Sequence, residues 1–198
     1  MDSQFREVMI DLETLGTRPG SVILSIGAVE FHTLHGLGRE FYAVLNVADS
    51  VLAGLSTDPK TIQWWENQSP EARQVLVEAH NAALSFPVRA VCSQFAAWLP
   101  GDSPSARRLW GNGANFDNVL LDALYDSVGQ SRPVIYRNNL CFRTLKALVP
   151  LPEVFDPPAT PHHALEDAKA QARHAVRLLR RLQFLGAGIQ DDGPKLYG

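Results

Sequence analysis

Asp11 and Glu13 flank Leu12 close to the amino terminus, and the apolar run Val8, Met9, Ile10 leads directly into them. The stretch from Glu7 to Asp11 reads as a buried strand, and alternation along a strand turns both carboxylates to one side. Two carboxylates about 4 Å apart repel by roughly 4 kcal/mol at an effective dielectric near 20. A site that gathers them therefore holds a cation or shares a proton. Asp-x-Glu on its own equally describes a solvated strand end, so the pair needs partners.

Two further stretches supply them. In Gly111-Asn112-Gly113-Ala114-Asn115-Phe116-Asp117 a strand hands over through small residues to a helix whose first turn carries Asp117. Alone, such an acid only complements the helix dipole, worth about 0.3–1 kcal/mol. In Pro161-His162-His163-Ala164-Leu165-Glu166-Asp167-Ala168, His162 sits just before a helix and Asp167 about one turn inside it. Asp167 neighbours an alanine stripe on an inward-leaning face, where an unpaired carboxylate is costly unless it meets a metal or a donor.

The elements that must position these groups follow from the pattern of apolar residues and breakers. After the turn at Gly16-Thr17-Arg18-Pro19-Gly20, the run from Val22 to Phe31 is strand-like. A turn around Gly36 and Gly38 leads into a third strand over Glu40 to Leu45, completing a three-stranded meander. Asp58-Pro59 starts a helix through Ile62, Trp64 and Trp65. Ser69-Pro70-Glu71 starts another through Val75 and Leu76, and a third carries Val91, Phe95 and Trp98 to a stop at Pro100-Gly101. Arg107 to Gly111 predicts a fourth strand, followed by a helix from about Phe116 to Gly129; a fifth strand is expected near Val134-Ile135-Tyr136. A helix around Phe142 to Leu148 and a proline-rich loop (Pro150, Pro152, Pro157, Pro158, Pro161) precede a last helix from about His163 to Phe184. Its stripe of Ala164, Ala168, Ala172, Ala175, Leu178, Leu179 and Leu182 faces the core.

In order, strand Asp-x-Glu, Phe-Asp opening a helix and His-x-x-x-x-Asp entering the last helix, the chain resembles the DEDDh exonucleases of the DnaQ-like superfamily. The resemblance runs from Asp11 to about Leu185 and implies an α/β, ribonuclease H-like fold: a mixed five-stranded sheet flanked by helices. The stretches Met9 to Gly16, Ser25 to Val29, Thr61 to Trp65 and Trp110 to Asn118 are most similar to phage and bacterial ribonuclease-T-like 3′-to-5′ exoribonucleases, some also labelled exodeoxyribonucleases. By this resemblance Asp11, Glu13, Asp117 and Asp167 are metal-site carboxylates and His162 is the general base. His162 is chosen over His163 by its family spacing to Asp167. The resemblance also implies two Mg²⁺ ions, with Mn²⁺ able to substitute. Asp11 would bridge them, Glu13 and Asp167 complete the inner site, and Asp117 acts through water. An imidazole, with an ordinary pKa near 6.5, suits the proton transfer near neutral pH. Polymerase proofreaders usually carry Asn where Gly113 stands, which points away from proofreading. His163 replaces the small or polar residue of many relatives.

The implied activity is removal of 5′ mononucleotides from single-stranded or frayed 3′ ends, RNA slightly ahead of DNA. A ribonuclease H-like endonuclease and a non-catalytic binding module are the alternatives. Thr14, Leu15, Gly16 and Asn115 are candidate substrate contacts, Thr14 to Gly16 through the turn after the acidic pair. Trp64 is another: adjacent helical positions face different ways, so one of Trp64 and Trp65 stacks on a base, worth about 1–3 kcal/mol, while the other packs inside; both packing inside is the bland alternative. Arg173, Arg177, Arg180 and Arg181 read as a solvated face near a helix C-terminus. His162 and His163 without cysteine partners do not make a familiar zinc set.

Composition bounds the rest. At 198 residues the chain suits one domain, at about 100–200 residues per domain, expected over residues 1–185 with a tail at 186–198. A net charge of -3 excludes coating of nucleic acid or anionic membrane by bulk electrostatics, so the nucleic-acid 3′ end that the resemblance implies as partner must be held locally. Cys92 and Cys141 are too few for a disulfide framework, and no window reaches a membrane helix. A cytoplasmic protein with no membrane partner is expected, and the resemblance implies a homodimer.

Overall fold

Alternation gives the first strand, β1 (Arg6–Thr14), two unlike faces. Val8, Ile10 and Leu12 enter one hydrophobic cluster and Met9 enters the other. Asp11 and Glu13 follow Met9 on that second face, so the acidic pair is the outward continuation of a core-facing row. The computed structural model describes residues 6–149, 157–158 and 160–186.

β2 (Ile23–His32) pairs antiparallel with β1, and β3 (Gly36–Val44) antiparallel with β2. Three short helices follow: α1 (Val47–Leu52), α2 (Pro59–Glu66) and α3 (Gln74–His80). After α4 (Val88–Trp98), β4 (Arg107–Gly111) returns parallel to the other edge of β1. Then come α5 (Asp117–Ser127), β5 (Asn139–Cys141), α6 (Phe142–Leu148) and α7 (Ala164–Gly186). The sheet order is β3-β2-β1-β4-β5, a mixed five-stranded sheet with seven α-helices among the described residues. The fold class is the expected α/β one. Val91 and Phe95 of α4 and Leu120, Leu121 and Leu124 of α5 cover one face. Ala168, Ala172, Ala175 and Leu178 of α7, with Phe142 and Leu145 of α6, cover the other.

Two glycines set how closely the helices approach the sheet. Gly27 lies opposite Asp11 in the β1–β2 ladder. A Cβ there would fall 2.1 Å from the Ala164 carbonyl carbon, so the start of α7 rests directly on this strand. At Gly111 a Cβ would meet Asn118 Oδ1 at 2.6 Å and Asp117 Cβ at 2.9 Å, so α5 begins against the end of β4.

Several boundaries differ from expectation. The fifth strand is Asn139–Cys141, not Val134-Ile135-Tyr136. Val134 is buried in the core but Tyr136 is 73% exposed and opens a 3₁₀ turn, so the β-prone run ends as a loop plug. Pairing falls instead to the less apolar segment that lies in register with Leu109–Gly111. α3 begins at Gln74 rather than at Pro70. Ser69 Oγ accepts from the Ala72 amide and organises a preceding turn. α1 was not expected; Asn46 caps it by accepting from the Asp49 amide. The stripe on α7 leaves the core at Leu182, which is 40% exposed. α7 continues through Gly186, the first residue of the expected tail. Residues 187–198, and Pro150 and Pro152 of the proline-rich loop, lie outside the described residues. Cys92 and Cys141 are both free, Cys92 buried and Cys141 half-buried. No described helix is long and apolar enough to cross a membrane.

Gly27→Ala forces α7 away from β2. The expected outcome is a loss of about 1–3 kcal/mol, the usual range for overpacking, read as a lower urea midpoint. An unchanged midpoint would show that α7 does not rest on this strand.

Candidate active site

The carboxyl end of β1, the start of α7 and the start of α5 converge. Asp11 pairs with Gly27 and Glu13 with Ser25, while Ala164 and Leu165 at the start of α7 rest on Gly27 and Asp167 follows within the first turn. One oxygen each from Asp11, Glu13 and Asp167 lies within 4.8 Å of the others. Asp117 stands outside this triad and is buried behind it, 3% exposed, but among the neighbouring charges it acts most strongly on Asp11.

Crowding out of water raises every one of these acids. Burial, then Asp117, Glu13 and Asp167, push Asp11 well above the ordinary carboxylate range. Burial, then Asp167 and Asp117, lift Glu13 to about 8. Burial lifts Asp117 to about 7 against the pull of backbone amides and Arg143. Asp167 is raised too, by burial, with His162 and His163 opposing. Two buried acceptors at the same spot, Asp167 Oδ2 and Gln171 Oε1, have no hydrogen-bond partner among the described residues. A set of carboxylate oxygens with unused acceptors and mutual repulsion fits a hard divalent cation, which takes oxygen ligands and relieves both strains.

The triad opens into a cleft of about 600 Å³ whose wall includes His162, Trp64, Lys60, Thr61 and Thr17. His162 sits at φ 61°, a left-handed conformation rare for a residue with a Cβ, so the loop is held there by its surroundings. Its ring meets Trp64 edge-to-face at 5.0 Å and Trp65 at 6.3 Å. His163 turns the other way and stacks on Tyr42 at 4.5 Å. Of the two adjacent histidines, His162 is therefore the one on the cleft. The tryptophans divide similarly. Trp65 is 1% exposed and donates Nε1–H to the Thr14 carbonyl at 2.8 Å, tying α2 to the end of β1. Both line the cleft, but Trp64, 43% exposed, is the one with an open face.

The structure thus brings Asp11, Glu13, Asp167, His162, Thr14 and Trp64 together on one cleft. Leu15 and Gly16 lie beside it without lining it. The Leu15 side chain is buried and its amide donates to the Val22 carbonyl. Asn115 is exposed on the loop before α5, away from the cleft wall. Arg180 donates to the Thr33 and Leu34 carbonyls, an edge contact and not a cleft one. Sequence reasoning missed Gln171, whose Nε2 donates to Asp11 Oδ1 at 2.8 Å. The available signal was its spacing of four from Asp167, which puts both on one helix face.

Comparison with known proteins follows this geometry. The model of one family, described as a 3′-5′ exoribonuclease Rv2179c-like domain, matches residues 6–179. A search among curated proteins finds no match. Among solved structures the chain is similar to E. coli Exonuclease I in complex with a 5cy-dA13 oligonucleotide, with 14% identity and a TM-score of 0.59, over 92% of this chain and 43% of that one. It is similar to the nuclease domain of 3′hExo, a DEDDh family member, bound to rAMP, with 15% identity and a TM-score of 0.58, over 91% and 95%. It is similar to cell-death related nuclease 4, with 10% identity and a TM-score of 0.50, over 92% and 65%. The chain spans less than half the length of Exonuclease I, and likeness at these identities establishes the fold, that of the ribonuclease H-like DEDDh nucleases.

The raised acids carry a pH signature. Their folded-state values lie above their unfolded ones, so the folded chain binds more protons than the unfolded chain between about pH 4 and 8, and stability falls as pH rises through that window. Urea unfolding of the metal-free chain should give higher stability at pH 5 than at pH 8, with Mn²⁺ restoring more at pH 8. Equal stability at both, or no Mn²⁺ effect, would mean the acids are not crowded as described.

Proposed function

With that family model covering residues 6–179, the chain belongs to the Rv2179c-like 3′-5′ exoribonuclease family, and we propose that it removes nucleotides one at a time from the 3′ ends of single-stranded or frayed nucleic acid. The observation that carries this reading is the position of the His162 ring on the same cleft as the Asp11, Glu13 and Asp167 carboxylates. A base beside a cation-holding acid cluster is the equipment for phosphodiester hydrolysis.

In the proposed reaction a water attacks the terminal phosphorus and its proton passes to the His162 imidazole. The bond from phosphorus to the 3′ oxygen of the preceding nucleotide breaks, and that oxygen takes up a proton from solvent water. The products are a 5′ mononucleotide and a strand shortened by one, ending in a new 3′ hydroxyl. Asp11, Glu13 and Asp167 would hold the metal, two Mg²⁺ ions with Mn²⁺ able to replace them, and Asp117 would act from behind the triad. When bound, such ions supply charge neutralisation at phosphate oxygens and a more acidic water. The edge-to-face packing of His162 on Trp64 fixes the orientation of the base. The open face of Trp64, with Thr14 at the end of β1, would seat the terminal nucleotide by stacking.

RNA is put slightly ahead of DNA on the description of the family. The 3′hExo structure holds rAMP and the Exonuclease I structure holds a deoxyoligonucleotide, so both sugars occur among proteins of this fold. Residues 6–179 are proposed as the catalytic unit.

Digestion of matched RNA and DNA strands in Mg²⁺ should release 5′ mononucleotides from free 3′ ends and leave 3′-blocked and circular substrates intact. Asp11→Ala and His162→Ala should each cost at least about 10²-fold in rate, the lower bound for loss of a general base. Trp64→Ala should weaken oligonucleotide binding by about 1–3 kcal/mol with melting unchanged. Cleavage of the circle would turn the reading to an endonuclease; intact 3′ ends throughout would turn it to a binding module.

A homodimer completes the proposal, by resemblance to ribonuclease-T-like enzymes that pair the site with a second subunit. Light scattering at micromolar concentration should return twice the chain mass of 21.8 kDa. A monomer mass would remove the dimer and leave the chemistry standing.

A further inference from the structure

Gln171 lies on α7 one turn beyond Asp167, flanked by Ala170 and Ala172 and close to Ala168 and Ala175, all of them buried. At such a position an apolar side chain is the ordinary choice. Gln171 is nevertheless a polar residue, 5% exposed, on the cleft wall. Its Nε2 donates to Asp11 Oδ1 at 2.8 Å. This is the orientation that suits Asp11 once a bound cation keeps it ionised, because a carboxylate then accepts and cannot donate. That orientation leaves Oε1 buried without a hydrogen-bond partner among the described residues.

The two halves of the amide thus have different fates. The donor half is committed to the acid at the centre of the cluster. The acceptor half is buried beside the same cluster without a protein partner among the described residues, as is Asp167 Oδ2. A buried amide satisfied on one side only is destabilising unless a ligand completes it. A neutral donor has a further advantage over lysine or arginine at this place. It restrains the Asp11 side chain without adding positive charge, so the acids keep their full attraction for a cation.

We propose that Gln171 is a positioning residue for the metal site: its Nε2 holds the Asp11 carboxylate in place to receive a divalent ion, and its Oε1 accepts a hydrogen bond from water carried by that ion. The inference rests on the metal-dependent reading above and assigns a role to a residue that does not itself touch the reacting atoms. Hydrated Mg²⁺ keeps several waters, so a donor for Oε1 arrives with the ion. Groups that orient ligands in this way contribute about 10–100-fold to metal affinity.

The test is calorimetric titration of Mn²⁺ into the full chain and into Gln171→Met and Gln171→Asn, with thermal melting of each metal-free protein. Met keeps the length without the amide, and Asn keeps the amide but is one methylene too short. Both should bind Mn²⁺ about 10–100-fold more weakly, while the metal-free melting temperature stays within a few degrees of the parent. If Gln171→Met does not fold, Gln171→Asn reads the same quantity. Variant affinities within about twofold of a parent that does bind Mn²⁺ would overturn the role of Gln171 alone. A parent that takes up no Mn²⁺ would overturn both this role and the metal-dependent reading.

Discussion

Like charges held together away from water are the constraint around which the molecule is arranged. Three carboxylates offer oxygens within 4.8 Å of one another, with a fourth buried behind. At an effective dielectric near 20, each ionised pair at that distance costs roughly 3 kcal/mol or more. Nothing local favours such a cluster, so it persists only because the surrounding backbone leaves the side chains nowhere else to go. Asp11 and Glu13 cannot separate, because they occupy alternate positions of one strand held to β2 at both residues and to β4 just before them. Asp167 cannot withdraw, because an alanine face seats α7 on the sheet and Gly27 lets its first turn touch the strand beside Asp11.

The second wall of the cleft is fixed by independent means. Asp58, which caps α2 by accepting from the Lys60 amide, donates its own amide to the Leu15 carbonyl just past β1, and Trp65 bonds the Thr14 carbonyl, so this helix is tied to the end of β1 at two points. Trp64 is then presented to the cleft because its neighbour is anchored. His162 is reached from the other side, through a left-handed backbone and contact with both indoles. His162 and Asp167 thus arrive together at the start of α7, while Asp11 and Glu13 arrive on β1, and tertiary packing brings the two segments into one site.

Much of this was legible in the sequence because the signals are local. Alternation put Asp11 and Glu13 on one side. The Phe-Asp and His-x-x-x-x-Asp spacings, each beside a helix start, singled out Asp117, His162 and Asp167, of which the last two line the cleft and Asp117 is buried outside it. The Asp58-Pro59 cap and the alanine stripe marked α2 and α7 close to their observed bounds. What escaped was non-local. β5 is defined by pairing with β4, which its own residues Asn139, Leu140 and Cys141 do not advertise, whereas the β-prone run at Val134 forms no strand. The commitment of the Leu15 amide to Val22 depends on how the next strand returns. Gln171 was hidden in plain view: its spacing from Asp167 was visible, but only the contact with Asp11 gives it meaning.

The central claim is that the acid cluster and the Trp64 face form one site for a metal and a nucleotide end. Anomalous diffraction from crystals soaked with Mn²⁺ and a 5′ mononucleotide tests it most directly. Manganese peaks bound by Asp11, Glu13 and Asp167, with the phosphate beside them and the base against Trp64, are the expected result. Manganese absent from these carboxylates while the nucleotide binds elsewhere would contradict it.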